Sequence, residues 1–131
     1  MAMIDHMGVG VRDFAASKAF YSKALKPLGY ELVYDLPAEV TGHGAAAAGF
    51  GVPPKPDFWI GGGKPNLPPV HVAFRAASRA QVEAFYRAAL AAGGRDNGAP
   101  GLRPEYHPDY YGAFVLDPDG HNIEAVCHQP A

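Results

Sequence analysis

The heptapeptide AFYSKAL, residues 19 to 25, returns as AFYRAAL at residues 84 to 90, an offset of 65. The same offset carries His6 onto His71, Leu25 onto Leu90, Gly29 onto Gly94, Ala48 onto Ala113 and Pro53 onto Pro118. Matching periodicities in two stretches predict one supersecondary unit written twice. The offset also sets Trp59 opposite Glu124, the pair at which the copies differ most in chemistry.

Each copy opens on a strand pattern. Met7, Val9 and Val11 alternate with His6, Gly8 and Gly10; Val70, Val72 and Phe74 alternate with His71, Ala73 and Arg75. Asp13 and Ser78 stand at matched N-cap positions, where a side-chain oxygen can accept from free N–H groups of a first helical turn. Apolar stripes follow: Phe20, Tyr21, Ala24 and Leu25 in one copy, and Val82, Phe85, Tyr86, Ala89 and Leu90 in the other. Pro27 and Gly29 end the first helix, Gly93 and Gly94 the second. In the first copy, residues 30–34, 45–50 and 57–60 read as strands around a turn-rich segment at 36–44. In the second, residues 95–109 read as a long polar loop. Residues 111–116 and 122–126 read as strands joined by the Asp117-Pro118-Asp119-Gly120 turn.

The predicted fold class is α+β: two βαβββ modules in tandem, forming a curled mixed β-sheet around a cavity with the helices outside. One domain fills residues 1–131, with module one at about 1–60, a Gly- and Pro-rich linker at 61–69 and module two at about 70–131.

Composition narrows the function classes. A net charge of -2 gives no basic surface for nucleic acid or anionic membrane. The apolar runs, among them four residues at 45–48 and five at 88–92, are too short to span a bilayer. Asp5 and His6 interrupt any secretion-signal pattern, and the single cysteine, Cys127, excludes an internal disulfide, so a cytoplasmic setting is expected.

The non-helix faces of the strands collect His6, Trp59, His71, Arg75, Tyr111, Asn122 and Glu124, which would line a polar cavity. His6, His71 and Glu124 offer two imidazoles and a carboxylate, a donor set for a borderline divalent metal with open positions for substrate. An inward carboxylate on a strand is costly unless paired or coordinated. Each of these residues also has a plainer reading. Strand histidines are often only polar, Tyr111 can be a strand former or a cavity donor, and Trp59 can wall a substrate or plug the cavity. Arg75 can hold an anion or pair with Glu124 or Glu105. His107 is either a surface loop residue or part of a lid, and His121 is expected at the surface.

The repeat, the first-strand His seven residues before Asp13, the helical FY pairs and the closing DPDGHNIEAV resemble the vicinal oxygen chelate superfamily. That superfamily includes glyoxalase I, extradiol dioxygenases, fosfomycin-thiol transferases and bleomycin-resistance binding proteins. The resemblance covers nearly the whole chain. It implies His6, His71 and Glu124 as metal ligands, with Trp59 standing where a further Glu or Gln ligand would be. A register slip of two residues would instead bring Asp57 inward. The cofactor implied is a divalent ion (Fe, Mn, Zn or Ni), and the function a metal-dependent enzyme of lyase, isomerase, dioxygenase or thiol-transferase type. Glu124 and Tyr111 would act on substrate, and Trp59, Arg75 and His107 would bind it. The alternative implied is a metal-free, bleomycin-resistance-like binding protein. The implied partners are a small-molecule substrate and a second copy of the chain in a homodimer.

Overall fold

Each copy closes its own four-stranded sheet. The computed structural model describes residues 3–131. The first copy contains β1 (Met7–Gly10), α1 (Phe14–Ala24), a 3-10 turn (Lys26–Leu28), β2 (Glu31–Leu36), α2 (Ala38–Thr41), β3 (Ala47–Gly51) and β4 (Phe58–Gly61). The second contains β5 (His71–Arg75), α3 (Arg79–Ala91), β6 (Arg95–Leu102), β7 (Tyr111–Leu116) and β8 (Asn122–Cys127). The strand orders are β1-β4-β3-β2 and β5-β8-β7-β6, so both mixed sheets are built on one plan. The architecture is α+β, the tandem βαβββ arrangement.

The repeat holds at the level of hydrogen-bond register. Gly8 pairs with Trp59 across the parallel β1–β4 ladder, and Ala73 with Glu124 across β5–β8. Gly49 pairs with Trp59 as Phe114 pairs with Glu124. No slip occurs around Trp59. Asp57 precedes β4, accepts from Tyr30 Oη at 2.7 Å and Lys55 Nζ at 2.9 Å, and is held below the usual carboxylate range chiefly by Lys55.

The helices start where their caps dictate. Asp13 Oδ1 accepts from Ala16 N at 3.1 Å, and Ser78 Oγ accepts from Gln81 N at 3.2 Å. Gly93, at φ 103°, ends α3 in the left-handed region. Gly94 is required for a different reason: a Cβ there would lie 2.6 Å from Val115 Cγ1 and 2.8 Å from Phe20 Cε1.

Residues 95–109 correct the expected long loop. Pairing with β7 draws residues 95–102 into an edge strand, and only the turns beyond it remain irregular. An edge position tolerates Pro100, and the register shifts around Gly98 absorb the glycines.

One core joins the copies. Val9, Phe20, Tyr21, Phe50, Phe58 and Ile60 share it with Val72, Phe74, Phe85, Val115 and Ile123. The Phe58 and Phe74 rings, one from each copy, meet edge-to-face at 5.2 Å. α1 packs on α3, so the helix-bearing faces are buried together. Each such buried aromatic contributes about 1.5–3 kcal/mol of transfer free energy.

His121 is the second correction. It is fully buried, not at the surface, and it ties the copies together. Its Nδ1 accepts from Val70 N at 3.0 Å, so the ring proton sits on Nε2, which donates to Gly10 O at 3.0 Å. The DPDG turn turns inward because Asp117 is its anchor. Asp117 Oδ1 accepts from the backbone N of Asp119 and His121, and Oδ2 accepts from the buried Tyr21 hydroxyl.

Candidate functional site

The polar face of the second sheet carries a carboxylate that burial makes expensive. Glu124 is 1% exposed. His71 Nε2 meets its Oε1 at 2.8 Å, and the Tyr110 hydroxyl donates to its Oε2. No Lys or Arg nitrogen lies within ion-pair distance of it among the described residues. Gly112 leaves room for this arrangement, since a Cβ there would lie 3.3 Å from Glu124 Oε2. The His71 side chain is 52% exposed, so the group opens to solvent on the imidazole side.

Tyr110, not Tyr111, supplies the phenol. The register pairs Phe114 with Glu124 and Gly112 with Val126, so even-numbered residues of β7 share the carboxylate's face. Tyr111 falls on the opposite face with Ala113 and Val115, and its hydroxyl donates to Glu83 Oε2 on α3 at 2.6 Å. The cavity face of β7 is thus one residue out of step with the expectation that placed Tyr111 on it. Tyr110 could have been found by counting back from the DPDG turn in steps of two. Burial, then the hydrogen bond and charge of Glu124, raise the Tyr110 phenol well above its ordinary value. It therefore remains a proton donor to the carboxylate at neutral pH.

His107 lies behind Tyr110. Its Nδ1 accepts from Asp109 N at 3.1 Å, so its Nε2 donates to His128 Nδ1, 2.6 Å away. The two imidazoles stack at 4.9 Å, and each meets the Tyr110 ring at 5.5 Å. No local sequence pattern marks His128, which lies just past the end of β8.

The other named residues lie elsewhere. His6 is largely exposed at the start of β1, bonded to Asp5 at 2.8 Å. Arg75 lies along β5 beyond His71 and lines a cavity of about 500 Å³ with Tyr30, Lys55 and Asp57. It pairs with neither Glu124 nor Glu105 among the described ion pairs. Trp59 lies on the first sheet over Gly49, its ring 8° from parallel with Tyr34 and 5.9 Å from it between centroids.

Metal-ligand geometry within the chain falls into two places. Among the described residues, the one group of three ligand-type side chains whose ligand atoms lie within 4.8 Å of one another is Asp117, Asp119 and His121. That group has the donor types of a metal site, but its His nitrogens and Asp117 oxygens are already engaged in the turn and in the contact between copies. His71 and Glu124 form the other place. His6 does not join them within a single chain.

The fold and this arrangement define a class, and the comparisons give the family. Residues 3–125 match the model of the Glyoxalase/Bleomycin resistance protein/Dioxygenase superfamily. The chain belongs to that superfamily. A glyoxalase/bleomycin resistance protein from Albidiferax ferrireducens T118 is similar over 98% of this chain and 100% of its own, with 29% identity and a TM-score of 0.72. A glyoxylase/bleomycin resistance protein/dioxygenase domain from Frankia sp. EAN1pec shares the fold at 15% identity, covering 98% and 99%, with a TM-score of 0.73. A mutant of glyoxalase I from Zea mays does so at 17% identity and a TM-score of 0.68, over 98% of this chain but 45% of that one. No curated protein matches the chain. No helix among the described residues is long and apolar enough to cross a membrane.

Proposed function

We propose that this chain is a glyoxalase-like, metal-dependent enzyme acting on a small molecule that presents two adjacent oxygens. The observation that carries the reading is Glu124: a buried carboxylate with one oxygen on a solvent-facing imidazole and, among the described residues, no fixed cation to neutralise it. The donor types fit a borderline divalent ion (Fe, Mn, Zn or Ni), with His71 and Glu124 as two ligands. His6 of a second copy is the third, because the two sheets of one chain are joined through their helix faces and leave His6 at the surface, bonded among the described residues only to the neighbouring Asp5. The active unit is then a homodimer of cytoplasmic chains, each a single glyoxalase-like domain.

A divalent ion bound there supplies Lewis-acid polarisation of the substrate's oxygens. The chain's own groups do the rest. Glu124 holds or moves a proton at Oε1, where His71 now lies. Tyr110 fixes the other oxygen and stays protonated while doing so. The His107–His128 pair holds the Tyr110 ring against the sheet. Trp59 walls the apolar part of the substrate, and Arg75 meets an anionic part.

Metal analysis of protein purified without chelator tests the proposal. Wild type is expected to carry near-stoichiometric divalent metal and His71→Ala none; a metal-free wild type ends the reading.

A metal-free binding protein of the bleomycin-resistance kind is the second reading. The observation favouring it is Trp59, an indole at the register position that Glu124 fills in the other copy. Thermal stabilisation by aromatic drugs, with none from any divalent ion, would select it.

A further inference from the structure

The polar face of the first sheet lacks the bulk that fills the equivalent places in the second. Across it run Gly8, Trp59, Gly49 and Tyr34 in one hydrogen-bonded row. The matched row of the second sheet has Ala73, Glu124 and Phe114. With glycine on each side, the indole meets no side-chain wall from its neighbouring strands. Gly49 cannot be otherwise: a Cβ there would lie 3.0 Å from Trp59 Cε2 and 2.9 Å from Pro56 Cβ. The indole therefore rests on bare backbone, and Tyr34 holds a parallel ring beside it. Tyr34 is 46% exposed, and Trp59 is only partly buried. A cavity of about 430 Å³, lined by Gly8, Gly10, Gly61, His43 and Lys64, opens beside the indole.

A parallel aromatic pair of this kind is an unusual thing to leave open. Apolar packing would favour covering it, and a single exposed aromatic would need no account. Flat π-faces set on a glycine row favour a flat guest, because stacking requires close approach of a whole ring, which a puckered ring cannot make.

We propose that Trp59 and Tyr34 form the seat for a planar aromatic ring of the ligand. The inference rests on the reading that the polar faces bind a small molecule, and it does not depend on metal. Gly8 and Gly49 set the height of the seat, and Tyr34 extends it beyond the indole. A ring seated there leaves its substituents free to reach across to the second sheet's carboxylate in an assembled dimer.

Trp59 is the only tryptophan, so its indole N–H gives a single amide-region resonance. The test titrates EDTA-treated protein with 2-naphthol and, separately, with decahydro-2-naphthol, following that resonance. The expected result is a saturable ring-current shift with 2-naphthol and binding about ten-fold weaker for the saturated compound. Tyr34→Leu, which keeps the reporter, is expected to weaken 2-naphthol about five-fold while the rest of the spectrum stays dispersed. Equal binding of the two compounds, no saturable shift, or a Tyr34→Leu protein that binds like wild type would overturn the proposal. EDTA is present throughout, so failure of the metal reading leaves this result unaffected.

Discussion

Trp59 and Glu124 occupy equivalent places in the two copies, one against Gly8 and Gly49, the other against Ala73 and Phe114. The indole has an apolar platform around it, and the carboxylate has His71 and Tyr110. Glu124→Gln should separate chemistry from fold. The amide still accepts from Tyr110, and His71 can turn its unprotonated nitrogen to the new NH2 group. Metal content should therefore fall to background while the unfolding midpoint in urea stays within about 1 kcal/mol of wild type. Metal retained by the variant would remove Glu124 from the ligand set.

His121 should behave as a structural residue. His121→Ala leaves Val70 N–H and Gly10 C=O without their partner in a part-buried contact between the copies. The expected cost is about 2–4 kcal/mol in urea unfolding, with metal content unchanged in the folded fraction. Loss of metal from folded protein would instead assign the Asp117–Asp119–His121 group as the metal site.

Two buried or half-buried phenols set an alkaline limit. Burial first, then Asp117, raises Tyr21 well above its ordinary value; burial first, then Asp57, pushes Tyr30 up to about 12. The folded protein holds these protons more tightly than the unfolded chain does. Their contribution is therefore full below about pH 10 and is lost as pH rises through the folded values. Stability measured from pH 8 to 12 should fall through the upper part of that range, and Tyr30→Phe should flatten the fall. An unchanged slope in that variant would contradict the linkage.

Gly94 has no room for a methyl group. Val115, Phe20 and the Ala89 carbonyl oxygen stand 2.6, 2.8 and 2.9 Å from where its Cβ would lie. The carbonyl belongs to α3 backbone and cannot rotate away. Gly94→Ala should cost about 1–3 kcal/mol. Gly29, its repeat partner, meets nothing within 4 Å of such a Cβ and is constrained only by its φ of 89°.

The repeat made most of the fold legible in the sequence. It placed β1, β4, β5 and β8 in register and identified both caps, because alternation and capping are local signals. His71 and Glu124 were legible as a pair for the same reason. Other features depended on contacts that local pattern does not carry. The strand at 95–102 exists because β7 supplies its ladder, although its own Gly and Pro content argues against a strand. His121 is buried because the DPDG turn packs against the other copy's Gly10. Tyr110 is in step with Gly112 and Phe114, but Ala113 and Val115 make the other face of β7 apolar too, so local alternation does not say which face meets the core. His6 is separated from His71 because the helix-bearing faces of the copies bury each other, a choice between packings that the same sequence pattern allows.

The central claim is a metal site whose ligands come from two chains, and mixing two defective chains tests it most directly. His6→Ala and Glu124→Gln proteins should each bind no divalent metal alone. Co-refolded, the mixed dimer contains one site with His6 from one chain and His71 and Glu124 from the other, all intact. The account predicts that metal binding returns in the mixture, at one ion per mixed dimer. Two folded, dimer-forming variants whose mixture stays metal-free would contradict it.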